Sequence, residues 1–552
     1  MQTGMILPEQ RVKAAGAGGY WIDQILLDPL ARNLAKTPDR LAVTGYNSMQ
    51  RKTFTLTTRD LDERSRRLAA SFIRRGIQPG DVISAQLPNW WQMIVIHLAA
   101  LRVGAITNPL MPIFRERELS FMLKLAESRL IIVPERFRDC NYSRMLKDLQ
   151  PSLPDLQDVL VIGAETQGSF DHMLAEDATG FEGEFEKRRP DPNQVIQLLY
   201  TSGTTGEPKG VMHTSNTLTA CMSQHDKAQG FDESLVTLMA SPLAHQTGFL
   251  WGIVSPIMHG GRVVLQDIWN PAQAINLVQR EQVTFTAGST PFLVDVVEAA
   301  AGRAEALRSL RVFVSAGAPI PRHLVGRAKE EFGVNVCSMW GMTENGGVTF
   351  TRPGDPPSRT LETDGSPAPG MELKIVDSGG QPLPTGAEGR LMVRGAGMFV
   401  GYLKRPELYV TDADGWFDTG DLARMDADRY IRITGRSKDV IIRGGENIPV
   451  IEIENLIYQH PAVAETAIVA MLDPRLGERC CAFVVLRRDR SLTLPELVEF
   501  LLDKKCAKTY LPERLEIVPA LPRTPSGKIQ KFKLREDAKT LAAALNAPSD
   551  RS

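Results

Sequence analysis

Apolar and polar residues alternate along this chain with two different periods, and these periods predict its elements. Short apolar runs typical of buried strands are separated by stretches in which apolar residues recur every three or four positions, as in amphipathic helices. Strands are predicted at 81–87, 130–133, 195–200, 236–240, 261–265, 283–287 and 310–315. Helices are predicted after 56–60 as far as about 76, at 90–103, from 248 and at 271–280. This alternation predicts a mostly parallel α/β architecture.

The pattern changes twice towards the end of the chain. From about 360 to 435, glycines and prolines are dense and the strands are short, which predicts a small β-rich subdomain. After 438, a new series of helices and strands is long enough to fold by itself. Its predicted elements are a helix at 449–459, strands at 463–469 and 479–485, and a helix at 494–504. The first 25 residues, with a run of Ala and Gly at 14–19, are predicted to be irregular.

The predicted fold class is therefore α/β with two unequal parts. A large N-terminal body, residues 1–437, combines two α/β sheets with the β-rich subdomain at about 360–435. A small, mobile α+β C-terminal domain follows at 438–552. A hinge beside charged and glycine-rich motifs is the arrangement expected when domain closure assembles a catalytic site.

Composition excludes several classes of protein. The chain has 552 residues, 43% of them hydrophobic and 23% charged, and a net charge of −1. So small a net charge favours neither nucleic acid nor acidic lipid as a partner. We see no secretory h-region near the start and no run of ~18 apolar residues, so no membrane span is expected.

Cysteine and histidine usage points to a reducing compartment without a protein-built zinc site. The six cysteines are scattered, at 140, 221, 337, 480, 481 and 506, and none has C-x-x-C spacing. Such usage is typical of reduced, mostly buried thiols in a cytoplasm. The eight histidines show no H-E-x-x-H pattern.

A loop rich in hydroxyl groups follows the apolar run at 195–200. Residues 201–206 read Thr-Ser-Gly-Thr-Thr-Gly, and Lys209 follows closely. Glycines let backbone N–H groups turn towards an anion, the hydroxyls add donors, and a lysine adds a charge suited to phosphate. The P-loop pattern fails, because its second glycine would fall on Pro208 and Gly210 stands where Ser or Thr is required. A surface loop and a different nucleotide site are the remaining interpretations.

Each of four further stretches can be interpreted as ordinary local structure or as part of a functional site. They are 314–320, 339–344, 414–421 and 522–528. Taken alone, they are a tight turn, a helix start capped by Thr343 or Asn345, a hairpin, and a surface lysine. In a nucleotide site, Gly317 would let a flat ring approach the backbone, and Asp421 would accept the hydroxyls of a ribose. Lys528 would then be a cation presented on a rigid turn.

Together and in this order, these motifs resemble those of the adenylate-forming superfamily, which includes acyl-CoA synthetases, firefly luciferase and nonribosomal adenylation domains. The resemblance covers the chain from about residue 25. It rests on the hydroxyl loop with Lys209, the boxes W-G-M-T-E at 340–344 and G-W-F-D-T-G-D at 415–421, G-R-S-K-D at 435–439, and P-R-T-P-S-G-K-I at 522–529. Trp340 departs from the pattern, because many relatives have tyrosine there.

The resemblance implies a two-step ligase that uses ATP, Mg²⁺ and coenzyme A. A carboxylate attacks the α-phosphate of ATP to give acyl-AMP and pyrophosphate, and a thiol then displaces AMP. Catalysis is implied for Lys528, Thr343 and Glu344, and Mg²⁺ binding for Glu344 and Thr204. The residues implied in ATP and AMP binding are Thr201, Ser202, Gly203, Thr204, Thr205, Gly206, Lys209, Gly317, Ala318, Pro319, Trp340, Gly341, Met342, Asp421 and Arg436.

Between the two steps, the resemblance implies that the C-terminal domain rotates. Lys438 occupies the hinge position, and Arg443, Gly444 and Gly445 would line the channel for the thiol of coenzyme A. Two adjacent glycines let a narrow pantetheine arm pass close to the backbone.

The acyl pocket is implied to be small and apolar, without a cation for a second carboxylate. Its candidates are His245, Gly248, Trp251, Ala287, Gly288, Phe292, Gly317 and Met342. Residues 108–119 also resemble a segment of cyclohexanecarboxylate–CoA ligases and of short- and medium-chain acyl-CoA synthetases. An alicyclic or short- to medium-chain monocarboxylic acid is therefore expected as the substrate, in a cytoplasmic enzyme for which a homodimer is a possible assembly.

Several alternatives remain open from the sequence. The acid could be aromatic, and the acceptor could be a carrier-protein phosphopantetheine or, as in luciferase, oxygen. A nucleotide-binding regulator on a degenerate fold is the non-enzymatic alternative, and the intact Lys528, Glu344 and hydroxyl loop argue against it.

Overall fold

The structure is a computed structural model. It describes residues 4–163, 169–201, 208–316, 320, 322–436, 441–443, 446–448, 450–473, 476–504, 506, 508–524 and 528–546.

The strands and helices alternate over most of the described chain. The strands are β1 Leu41–Asn47, β2 Lys52–Thr57, β3 Val82–Gln86, β4 Ile106–Leu110, β5 Ser128–Pro134, β6 Arg136–Phe137, β7 Cys140–Asn141, β8 Asp158–Ile162, β9 Val195–Thr201, β10 Lys209–Thr214, β11 Val236–Met239, β12 Arg262–Gln266, β13 Phe285–Ser289, β14 Val312–Ala316, β15 Asn335–Met342, β16 Gly346–Phe350, β17 Ser366–Pro367, β18 Met371–Val376, β19 Gly389–Gly395, β20 Phe417–Met425, β21 Ile431–Arg436, β22 Ile441–Arg443, β23 Glu446–Ile448, β24 Val463–Asp473, β25 Gly477–Leu486 and β26 Arg514–Ile517.

The helices are α1 Glu9–Ala17, α2 Leu27–Lys36, α3 Thr58–Arg74, α4 Gln92–Arg102, α5 Glu116–Ala126, α6 Tyr142–Leu149, α7 Phe170–Ala175, α8 Glu182–Arg188, α9 Ser215–Gln229, α10 Gln246–Phe249, α11 Ser255–His259, α12 Pro271–Glu281, α13 Thr290–Ala299, α14 Arg322–Phe332, α15 Pro357–Glu362, α16 Val450–Ile457, α17 Leu494–Asp503 and α18 Lys531–Asn546. A π-helical turn, Leu250–Val254, joins α10 to α11. Helix α3 begins with a capping box, in which Thr57 and Asp60 bond each other's backbone N–H, and such a cap contributes about 1 kcal/mol.

Two mostly parallel sheets form the body. One has six strands in the order β10-β9-β4-β3-β5-β8, and the other nine in the order β17-β16-β15-β14-β13-β11-β12-β1-β2. Helix α4 is buried along its whole length, and one hydrophobic core takes residues from both sheets and from this helix. Open α/β folds bind ligands at the ends of their strands. Here the strands of both sheets are packed around one shared hydrophobic core.

Two smaller sheets complete the molecule. Strands β18, β19, β20 and β21 form an antiparallel sheet, which confirms the β-rich subdomain. The C-terminal sheet has the order β23-β22-β25-β24, with β26 beside β25, and it has cores of its own. The predicted fold class, a large α/β body with a smaller α+β C-terminal domain, is confirmed.

The N-terminal segment differs from the prediction. Residues 9–17 form α1 instead of irregular chain, and β1 and β2 add a hairpin to the nine-stranded sheet. The Gly and Ala content of α1 conceals its helical period, and the helix is stabilised by tertiary contacts of Arg11 and Ala15. Within the described residues, no helix has the length and apolarity needed to cross a membrane.

Candidate active site

The described ends of the hydroxyl loop belong to two antiparallel strands of the six-stranded sheet. Strand β9 is buried up to Tyr200, and Thr201 at its end pairs with Lys209 at the start of β10. The residues between them, including Ser202, Gly203, Thr204, Thr205 and Gly206, lie outside the described part of the chain. The two described ends of the loop therefore stand side by side at a strand end.

The W-G-M-T-E box forms a strand end and a turn, not the start of a helix. Strands β15 and β16 are antiparallel neighbours, and the Met342 N–H donates to Asn345 Oδ1 at 2.8 Å in the turn between them. Gly341 is required here, because a Cβ atom would lie 1.8 Å from the Gly346 carbonyl oxygen. The helix interpretation was wrong because Asn345 caps a hairpin turn.

Glu344 leaves this turn as a buried carboxylate. Its side chain is only 6% exposed, and the Tyr402 hydroxyl donates to its Oε1 at 2.9 Å. Burial raises the pKa of Glu344, while Tyr402, Lys209 and Arg436 act in the opposite direction. An isolated buried carboxylate is costly, so this one is suited to binding a cation.

Asp421 and Arg436 lie opposite each other on adjacent strands of the β-rich subdomain. They are register partners on β20 and β21, and Arg436 Nε lies 3.0 Å from Asp421 Oδ1. The other carboxylate oxygen, Oδ2, accepts a hydrogen bond of 2.9 Å from the indole Nε1 of Trp340. Burial raises the pKa of Asp421, which is 3% exposed, whereas Arg436, Trp340 and Lys528 lower it. Each oxygen thus has one protein donor and keeps a lone pair for a ligand.

Lys528 reaches this crevice from the C-terminal domain. The turn that carries it is closed by two hydrogen bonds with Thr524, of 3.0 Å through the hydroxyl and 2.7 Å through the backbone. Burial and Arg436 lower the pKa of Lys528, and the charges of Asp421 and Glu344 raise it. One ammonium group therefore lies within electrostatic reach of two carboxylates that belong to the body.

His245 lies within electrostatic reach of Lys528. It caps α10, with its Nδ1 accepting from the Thr247 N–H at 3.3 Å. Burial and the nearby Lys528 lower the pKa of His245 to about 3, so the imidazole is neutral at physiological pH. Gly248 one turn later allows close packing, because a Cβ atom would lie 2.0 Å from the Pro242 carbonyl oxygen.

The other residues predicted for the acyl pocket are divided by the nine-stranded sheet. Trp251 packs on the face that carries α9, with its ring 5.3 Å from that of His225. Phe292 packs on the opposite face against Trp269, at 4.6 Å, and contacts Gly288. The structure therefore does not gather Trp251, Gly288 and Phe292 around one cavity, and their role stays a prediction.

Arg443, predicted to bind coenzyme A, lies on the C-terminal sheet. Its guanidinium pairs with Glu513 through contacts of 2.8 and 3.2 Å. Gly317, Ala318, Pro319, Lys438, Gly444 and Gly445 lie outside the described residues.

Sequence reasoning missed three polar residues that position the site. His213 Nε2 donates to the Thr343 carbonyl at 2.7 Å, and its pKa is lowered to about 4, mainly by burial. Asn89 bonds the backbone of Ser241 and Leu243 at 2.9 and 2.8 Å and so fixes the segment before His245. Tyr402 contacts both Glu344 and Lys209. Of the three, Tyr402 stands in a run of mixed residue types, G-Y-L-K-R-P-E at 401–407. The order of residues in that run does not reveal that Tyr402 contacts Glu344 and Lys209.

Comparison with known proteins agrees with this geometry. Residues 30–403 match the family described as AMP-binding enzyme, and residues 452–528 match the AMP-binding enzyme C-terminal domain. The chain is 37% identical to the medium-chain fatty-acid–CoA ligase of Escherichia coli (strain K12) over 540 residues, which cover 97% of this chain and 94% of that protein. It is 33% identical to a salicylyl-CoA synthase / salicylate adenylyltransferase of Streptomyces sp, with 98% of each chain covered.

A solved structure shares the whole architecture. The ATP-bound MatB of Rhodopseudomonas palustris superposes with a TM-score of 0.84 at 26% identity, covering 94% of this chain and 100% of that one. The expected family resemblance is thus confirmed, together with the use of ATP, Mg²⁺ and coenzyme A. The chain belongs to the AMP-binding enzyme family and is an ATP-dependent, AMP-forming acid–CoA ligase that acts through an acyl-AMP intermediate.

Proposed function

We propose that this ligase activates an alicyclic or short- to medium-chain monocarboxylic acid, with Lys528 as the group that joins the acid to the nucleotide. The observation that carries the proposal is that Lys528, on a turn of the C-terminal domain closed by Thr524, lies within electrostatic reach of Asp421 and Glu344 of the body. In this arrangement, the ammonium would bridge the attacking carboxylate and the α-phosphate of ATP. Negative charge grows on the phosphate in the transition state, so a preorganised cation there lowers the barrier.

The remaining nucleotide contacts follow from the same crevice. Asp421 and Arg436 would bind the ribose, because Asp421 retains a lone pair on each oxygen. Thr343, whose carbonyl is held by His213, would contact the α-phosphate. The adenine ring would lie against residues 317–319 beside Trp340, and the loop 201–206 with Lys209 would hold the β- and γ-phosphates.

Mg²⁺ fits the residues present. Glu344 offers a buried carboxylate with only one oxygen bonded to Tyr402, and Mg²⁺ prefers one or two carboxylates together with substrate phosphates. In the described part of the chain, no group of three or more His, Cys, Asp or Glu residues forms a separate metal cage. Glu344 and Thr204 would hold the ion, which when bound neutralises charge on the phosphates.

The thioester step needs a different orientation of the C-terminal domain. With Lys528 in the crevice, Arg443 is paired with Glu513 on the C-terminal sheet. We infer that rotation about Lys438 withdraws Lys528 and brings Arg443, Gly444 and Gly445 to the channel for coenzyme A. Pyrophosphate can then leave before the thiol enters.

The acid class is supported by the relative at 37% identity, whose name specifies medium-chain fatty acids. A neutral His245 suits an uncharged acyl group better than a second carboxylate. The relative named for salicylate makes an aromatic acid the second candidate. A panel of straight-chain, alicyclic (including cyclohexanecarboxylic) and aromatic acids, assayed by pyrophosphate release, separates these classes; a marked preference for salicylate or benzoate would refute the aliphatic assignment.

A cytoplasmic homodimer is our proposal for the working state. The cytoplasmic location is supported by the six cysteines, all of which are free thiols, as expected in a reducing compartment. Light scattering tests the assembly.

The role of Lys528 is tested by separating the two half-reactions. Lys528→Ala is expected to slow acid-dependent ATP–pyrophosphate exchange by about 100-fold or more, because it removes a transition-state charge donor. Thioester formation from supplied acyl-AMP and coenzyme A should be nearly unchanged. Lys533→Ala, which changes a neighbouring exposed lysine, serves as the control. An equal loss in both half-reactions would contradict the assignment.

A further inference from the structure

Tyr402 contacts two groups that the proposed function assigns to different tasks. We propose that Tyr402 is a positioning residue for the metal and phosphate end of the site, fixing the Glu344 carboxylate with its hydroxyl and the Lys209 ammonium with its ring. This inference rests on the proposed roles of Glu344 in Mg²⁺ binding and of Lys209 in phosphate binding.

The backbone brings Tyr402 to this place. Residues 400–403 run antiparallel to β10, with Val400 and Leu403 N–H groups donating to Met212 and Gly210 carbonyl oxygens at 3.0 and 2.8 Å. Gly210 permits this approach, because a Cβ atom there would lie 3.2 Å from Leu403 Cβ. The segment thus extends the edge of the six-stranded sheet, and Tyr402 lies beside the start of β10.

The side chain of Tyr402 then makes two different polar contacts. The Lys209 Nζ atom lies 4.8 Å from the centre of its ring, within the range of a cation–π interaction. Its hydroxyl donates to Glu344 Oε1 at 2.9 Å, and the residue is 3% exposed. Both interactions are strengthened by exclusion of water.

This arrangement keeps two opposite charges available to ligands. Among the described residues, the Lys209 ammonium contacts the Tyr402 ring and forms no ion pair with a carboxylate, so its charge remains available to phosphate. The Glu344 carboxylate is bonded by two neutral donors, the Tyr402 hydroxyl and its own backbone N–H, which orient it without cancelling its charge for a cation. A direct ion pair between Lys209 and Glu344 would satisfy both groups and weaken both functions.

A role in packing alone makes a different prediction. Tyr402 also packs edge-to-face on Phe399 at 4.8 Å, and phenylalanine would preserve that contact. Tyr402→Phe should therefore be neutral if the ring only fills space. Under our proposal, the variant loses the bond to Glu344 and keeps the ring contact with Lys209.

The test measures binding directly. Mn²⁺ binding to the full-length enzyme with a non-hydrolysable ATP analogue is measured by electron paramagnetic resonance, and binding of the analogue without metal by calorimetry. Tyr402→Phe is expected to weaken Mn²⁺ binding about 3- to 10-fold, since it removes a hydrogen bond to a charged group, with metal-free binding unchanged. Tyr402→Leu should also weaken the metal-free complex. Tyr142→Phe, which loses a hydroxyl bonded to the Pro112 carbonyl, is the control.

A double-mutant cycle with Glu344→Gln completes the experiment. If the hydroxyl acts through Glu344, adding Tyr402→Phe to Glu344→Gln should have a much smaller effect on Mn²⁺ binding than in the wild type. Unchanged Mn²⁺ affinity in Tyr402→Phe, or an undiminished effect in the cycle, would overturn the inference. Absence of acid-dependent pyrophosphate exchange in the wild type would instead overturn the proposed function.

Discussion

At the residue scale, Trp340 shows how a departure from a family pattern can be accommodated. Many members of the resembled family have tyrosine at this position, so tryptophan retains an aromatic face here and lacks the phenolic hydroxyl. In the structure, the indole Nε1 donates to Asp421 Oδ2 at 2.9 Å. The substitution therefore gives the carboxylate proposed to bind ribose a buried donor, which favours its ionised form.

This contact predicts a specific defect in Trp340→Phe. The variant keeps an aromatic ring but leaves one Asp421 oxygen without its donor, so the pKa of Asp421 should rise and ribose should bind less firmly. We expect KM for ATP to increase about tenfold. The preference for ATP over 2′-deoxy-ATP, measured as a ratio of kcat/KM values, should narrow.

Trp416→Phe is the matched control, because Trp416 lies in the same subdomain between Lys374 and Arg394. An unchanged preference between the two nucleotides in Trp340→Phe would show that the indole only packs.

Residue roles were only partly predictable from the sequence. Lys528 and Glu344 were identified by short motifs, which specify a chemical group and its local turn. Tyr402 and Arg11 were missed because their importance depends on partners far along the chain: Arg11 donates to the Phe399 carbonyl, 388 residues away. No local period or propensity encodes such a contact.

At the scale of elements, the N-terminal helix α1 holds the segment 396–399, which precedes Tyr402, through hydrogen bonds from Arg11. Arg11 donates to the carbonyl oxygens of Phe399 at 2.9 Å, Met398, and Ala396 at 3.3 Å. The Trp21 indole reaches the Ala396 carbonyl at 3.1 Å. The sequence suggested an irregular start, because a single half-buried arginine gives no periodic signal.

Arg11→Met should therefore destabilise the body and disturb nucleotide binding. The substitution retains the apolar length of the side chain but leaves buried carbonyl groups unpaired, at an expected cost of about 2–4 kcal/mol in the free energy of unfolding. Denaturant titration followed by fluorescence measures this loss. KM for ATP should increase as well, since the segment 396–399 leads directly to Tyr402.

The exposed Arg32→Met is the control for removal of a positive charge. Equal stability of the Arg11→Met and Arg32→Met variants would show that the hydrogen bonds of Arg11 do not stabilise the body.

At the scale of the whole molecule, the sequence predicted two parts but not their relative position. Strand alternation and the change of pattern near 438 are local properties of the chain. The approach of Lys528 to Asp421 depends on the packing of the C-terminal domain against the body, which no run of residues encodes. The motifs indicate which chemical groups the body and the C-terminal domain contribute, and the structure shows how the two are oriented.

The proposed rotation predicts that substitutions at the hinge and at Lys528 slow different half-reactions. Proline fixes φ, so Lys438→Pro should hinder rotation and slow thioester formation at least about tenfold, with pyrophosphate exchange nearly unchanged. Single-turnover assays of each half-reaction measure this, and Lys438→Ala separates loss of charge from loss of backbone freedom. Loss of pyrophosphate exchange in Lys438→Pro would be incompatible with a hinge there.

The cross-strand pair of Asp421 and Arg436 has a consequence for the order of product release. Arg436 ends β21 and stands two residues before Lys438, so the ribose would stay bound to this pair while the C-terminal domain rotates about the proposed hinge between the two steps. The same pair would still bind AMP after the thiol has displaced it from the acyl group. We therefore expect acyl-CoA to depart first, with the spent nucleotide as the last molecule to leave.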